Sequence, residues 1–102
     1  MNWFFIFVRQ DISLAQQIIQ TNHATLEMAA ADVKLGETPN SVLIGVRDET
    51  ELQNVINHLE NSGIKHVAFV DNDFDFKKAA VVTVPLDIKQ KQVLRGYSLY
   101  KP

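Results

Sequence analysis

The chain opens with an unbroken apolar run, Trp3-Phe4-Phe5-Ile6-Phe7-Val8, closed by Arg9. A strand sends successive side chains to opposite faces, so a strand apolar at every position has to be covered on both. Aromatic and β-branched residues dominate the run and suit a pleated surface. It is too short to cross a bilayer and lacks the basic start and cleavage site of a signal peptide. Trp3 to Val8 is therefore read as a central strand with helices on either side, and no association with a membrane is expected.

The rest of the chain supplies those layers. Ser13-Leu14-Ala15-Gln16 matches a capping box and predicts a helix from Leu14 to Ala31. Its expected buried stripe is Leu14, Ile18, Ile19, Leu26, Ala29 and Ala30. Asp32 to Asn40, with Gly36 and Pro39, reads as a loop. A second strand follows at Val42 to Val46. Asp48 caps a second helix whose first turn holds Glu49 and Glu51, favoured by the helix dipole. Leu52, Val55, Ile56 and Leu59 give it one apolar face, and Gly63 with Ile64 forms its C-cap. His66 to Val70 completes a strand–helix–strand unit whose strands should run parallel. An acidic turn, Asp71 to Asp75, leads to a fourth strand at Ala79 to Val84. A short helix, Asp87 to Arg95, and an extended Tyr97 to Tyr100 finish the chain. The expected fold is α/β: one domain over residues 1–102, a four-stranded mixed sheet with helices on both faces.

Composition narrows the chemistry. The 102 residues include no cysteine, which rules out disulfides, thiolate metal sites and a cysteine nucleophile, and fits a reducing cytoplasm. Residues 1–76 hold four basic and eleven acidic side chains (net −7), whereas residues 77–102 hold six basic and one acidic (net +5). Such a basic segment can steer a polyanion such as RNA, although the plainer reading is a solvated helix face.

One polar line stands out. Gln16, Gln20, His23 and Glu27 are spaced by four, three and four residues and so share one side of the first helix. Asp11 lies just past the end of the first strand, where open α/β sheets bind ligands, and Asp71, just past the third, is close if strands one and three are parallel neighbours. Two amides, an imidazole and carboxylates could hold a polar ligand or carry a proton. The plainer reading is a solvated polar face. Asp71, Asp73 and Asp75 resemble the start of a calcium loop, but Phe76 and Val82 stand where that loop needs Gly and Glu, so no metal or other cofactor is expected. His58 and His66 read as surface residues, and no phosphate-binding loop or hydrolase motif is present. Tyr97 and Tyr100, set among Arg95 and Lys101, are the better candidates for stacking on a base.

The order of elements and the motif Arg9-x-Asp11 … Gln20-x-x-His23-Ala24 resemble the type 2 peptidyl-tRNA hydrolases, enzymes that cleave the ester between a stalled peptide and tRNA. The similarity covers nearly the whole chain, including the Asp after the third strand and the final helix ending in Gly. It implies that Asp71 orients the attacking water and that Asp11, Gln16, Gln20 and His23 line the substrate cleft. Lys77, Lys78 and the basic terminal segment would hold the tRNA. It also implies a homodimer. The chain departs from the family pattern where the chemistry is concentrated. The first turn is about two residues shorter, its glycines are absent, and the family's Lys falls on Gln16. Asn72-Asp73 replaces an Ala-Gly pair, and Asp75 and Ala79 stand near the family's hydroxyl positions. An amide dipole in place of an ammonium weakens stabilisation of a developing oxyanion by on the order of a hundredfold in rate.

Two functional classes follow. One is a peptidyl-tRNA hydrolase-like protein with weakened or lost ester hydrolysis. The other is a non-catalytic module that binds a ligand or protein through the same face.

Overall fold

A computed structural model describes residues 2–31, 36–71 and 78–102. Four strands and three helices follow in the order β1 (Trp3–Arg9), α1 (Leu14–Ala30), β2 (Asn40–Val46), α2 (Glu49–Asn61), β3 (His66–Val70), β4 (Lys78–Thr83) and α3 (Ile88–Val93). The sheet order is β2-β1-β4-β3. β1 pairs with β2 in parallel and with β4 antiparallel, and β3 pairs antiparallel with β4. The sheet is therefore mixed. β1, β2 and β3 run the same way, but β2 and β3 occupy opposite edges, so α2 carries the chain across the full width of the sheet.

The apolar run makes β1 an interior strand. Phe5 and Phe7 join a core with Ile44, Val46, Val81 and the α2 residues Leu52, Val55, Ile56 and Leu59. Phe4 and Val8, on the other face, pack with Ala24 and Met28 of α1 and with Ala80 and Val82. One side chain completes the β1–β4 ladder. Where the two strands part, the Phe5 N–H donates to the Thr83 hydroxyl at 3.0 Å, and Thr83 is fully buried.

α2 matches its sequence pattern residue for residue. Asp48 accepts from the Glu51 N–H, and Gly63 adopts φ +69° at the other end. The Ile64 N–H then reaches the Leu59 carbonyl at 2.9 Å, as a left-handed cap requires.

α1 differs from expectation. Leu14, Ile18, Ile19 and Leu26 are exposed, as are Ala29 and Ala30, while Gln17, Gln20, Ala24 and Met28 are buried. The helix packs chiefly on β4, β3 and β1. The small Ala24 and adaptable Met28 fit closely over Ala80 and Val82. The two glutamines face in because polar partners await them: Gln17 Nε2 donates to the Ile12 carbonyl at 2.9 Å, and the Tyr100 hydroxyl donates to Gln17 Oε1 at 2.8 Å.

The segment after α3 runs along the outer edge of β2. Leu99 bridges Ile44, the Tyr100 N–H donates to the Leu43 carbonyl at 2.8 Å, and Gln10 Nε2 donates to the Lys101 carbonyl at 2.7 Å. Gly45 makes room for that last contact, since a Cβ there would collide with the Gln10 side chain. No helix among the described residues is long and apolar enough to cross a membrane.

Candidate functional site

Because β1 and β3 run the same way, both end at one edge of the sheet, with β4 starting between them. The first half of α1 crosses above this edge. That geometry brings the polar line of the helix to Asp71. Gln20 Nε2 donates to Asp71 Oδ2 at 3.0 Å and to Gln16 Oε1 at 3.2 Å. Gln20 is fully buried, and contact with a carboxylate fixes its amide with nitrogen toward Asp71. The opposite atom, Gln20 Oε1, is sealed from solvent and accepts no hydrogen bond among the described residues. Such an orphaned acceptor costs about 1–3 kcal/mol.

His23 lies one turn further along. It is exposed, with its ring 4.7 Å from that of Phe69 on β3. Gln16 and Asp71 are half-buried, and Glu27 faces solvent. Asp71, Gln20, Gln16 and His23 thus form one continuous polar strip between α1 and the end of β3.

Asp11 belongs to a neighbouring arrangement. Its two carboxylate oxygens take a forked pair of bonds from Arg9, Nε to Oδ1 at 2.9 Å and Nη2 to Oδ2 at 2.8 Å. Arg9 Nη1 also donates to the Lys78 carbonyl at 3.3 Å and lies 3.7 Å from Glu49. The hydrogen bond from Arg9 holds the Asp11 carboxyl below its ordinary range, against the opposing effect of burial. The same bond raises Arg9. The Arg-x-Asp motif thus appears as a clamp at the end of β1.

Lys78, expected with the polar strip, turns the other way. Its Nζ donates to Gln53 Oε1 of α2 at 3.2 Å, on the sheet face opposite α1. The segment bearing Lys89, Lys91 and Arg95 also packs on that opposite face through Leu94. Arg47 pairs with Glu51 at 2.8 Å. Lys77 and the acidic residues Asp73 and Asp75 fall outside the described residues. Among those described, no group of three His, Asp or Glu side chains gathers as metal ligands.

The residue sequence reasoning missed is Gln17, which ties α1 to the chain end through Tyr100. The signal was present in the 3-4-4 spacing of Gln17, Gln20, Ala24 and Met28. Tyr97 was expected to offer a stacking face. Its ring is instead packed edge-on against Phe7, with centroids 5.1 Å apart, and burial raises its hydroxyl pKa.

No family model matches the chain, and no curated protein does. The fold has a solved counterpart. A protein of unknown function from Agrobacterium tumefaciens str. C58 superposes with a TM-score of 0.73 over 98% of each chain, at 11% sequence identity. At that identity the likeness establishes a shared architecture and nothing about chemistry.

Proposed function

We propose that the protein is a relative of the type 2 peptidyl-tRNA hydrolases that has lost ester hydrolysis and keeps the polar strip as a binding surface. The carrying observation is the contact of Gln20 Nε2 with both Asp71 and Gln16. Where the resemblance calls for an ammonium, this chain has an amide that is already committed to a second amide.

The chemistry follows from those groups. A carboxylate such as Asp71 can hold a water molecule, but ester cleavage also needs positive charge or strong donors where the oxyanion forms. Gln16 supplies neither a full charge nor a titrating proton. Arg9, Arg47 and Lys78, at this end of the sheet, are directed to Asp11, Glu51 and Gln53. The strip itself offers a carboxylate, an amide and an imidazole, and suits a small polar ligand.

The test is incubation of stoichiometric protein with an N-acetylaminoacyl-tRNA, following release of the acylated amino acid. Cleavage should stay at the rate of the protein-free control, and Asp71→Ala should leave it there. Release above the control that Asp71→Ala abolishes would overturn the proposal and restore the hydrolase reading. Gln16→Lys then asks whether an ammonium alone recovers cleavage within the shortened turn.

A further inference from the structure

The face of the sheet away from α1 holds a recess unrelated to the polar strip. It has a volume of about 530 Å³ and lies between β1, β2, α3 and the segment that follows α3. That size is in the range of small-molecule pockets. Trp3, Phe5 and Ile44, on the side of the core, form its floor, and Leu94, Tyr97 and Leu99 also line it. The floor is part of the core, whereas Leu99 at the rim is 66% exposed. The recess is thus an apolar hollow that opens to water.

Its charge is one-sided. Lys91 and Arg95, four residues apart, both line it, and among the described residues no Asp or Glu does. Lys91 Nζ stands 3.8 Å from the centroid of the Trp3 ring, which fixes a cation across the aromatic floor. No carboxylate among the described residues lies within ion-pairing distance of Lys91 or Arg95. Asp87, the acidic residue of this segment, is turned to the start of α3, where it accepts from the Gln90 N–H at 2.8 Å.

An apolar floor under two cations that lack a carboxylate partner selects a particular chemistry. A neutral hydrocarbon would leave the charges unanswered, and a multiply charged polyanion would leave the floor empty. We propose that this recess binds a small organic carboxylate with an aryl or short alkyl body. The body lies on Trp3, Phe5 and Ile44, and the carboxylate takes charge-assisted hydrogen bonds from Lys91 and Arg95.

Trp3 is the sole tryptophan of the chain and forms part of the floor, so its fluorescence reports occupancy directly. The intact protein is titrated with sodium octanoate, 1-octanol and octylammonium chloride, with calorimetry as a second readout. Octanoate should give a saturable Trp3 response with an affinity at least about tenfold above that of octanol, the scale of a charge-assisted contact. Octylammonium should bind more weakly still. The double variant Lys91→Gln, Arg95→Gln should bind octanoate and octanol alike. Equal affinity for octanoate and octanol in the unaltered protein would overturn the proposal. So would an unchanged octanoate affinity in the double variant, or no response to octanoate at millimolar concentration. The three-ligand comparison on the unaltered protein decides the matter even if the variant folds poorly.

Discussion

The orientation of α1 can be tested with two substitutions on the same helix. Leu26 and Met28 are two residues apart, hence about 200° around the helix axis. Met28 is 1% exposed and packs with Phe4, Val8, Ala24, Ala80 and Val82, whereas Leu26 is 68% exposed. Met28→Ala removes a buried thioether chain, for which core truncations cost about 2–5 kcal/mol. Two of its neighbours, Ala24 and Ala80, carry only a Cβ and cannot swing into the space, so the loss should be about 3 kcal/mol. In a domain of this size each kcal/mol shifts Tm by about 4–8 °C, giving a fall of roughly 12–24 °C. Leu26→Ala removes a larger hydrophobe by sequence criteria, yet it should change stability by less than about 0.5 kcal/mol. Urea denaturation followed by circular dichroism measures both, with equal m-values confirming that only stability has changed. Equal losses in the two variants, or a larger loss for Leu26→Ala, would refute the packing described for α1.

Two further outcomes follow from particular bonds. Thr83→Val preserves side-chain shape but leaves the buried Phe5 N–H without its acceptor, and should cost about 1–3 kcal/mol in chemical denaturation; a loss under about 0.5 kcal/mol would mean that the amide finds another partner. The Asp11 carboxyl is held below its ordinary value of 3.8 in the folded chain, so it favours folding above that pH and ceases to do so as pH falls through its folded value. The stability difference between the protein and Asp11→Asn should therefore be constant above about pH 5 and close on acidification, and a gap that widens in acid would contradict the Arg9–Asp11 clamp.

Sequence patterns reveal the architecture best where one apolar face is unambiguous. Leu52, Val55, Ile56 and Leu59 leave α2 a single way to pack, and Gly63 marks its end. The run at β1 requires cover on both sides, which the two cores provide. α1 was not legible in the same way, because its apolar residues are scattered around the helix. Hydrophobicity then favours the Leu and Ile positions, while the packed face is decided by partners distant in sequence: Asp71 for Gln20 and Tyr100 for Gln17. The meeting of Gln20 with Asp71 is expected from parallel, neighbouring first and third strands; the strands do run the same way, but β4 lies between them. The destination of Lys78 could not, since alternation along β4 does not show that its long side chain reaches Gln53.

The hydrogen bonds that fasten Leu99, Tyr100 and Lys101 to β2 and Gln10 have a consequence for the protein's behaviour in solution. An outermost strand offers its backbone to any extended peptide, and here that invitation is already answered by a segment of the same polypeptide. A substitution that levers Tyr100 away from Gln17 would reopen the seam and invite self-association through strand addition.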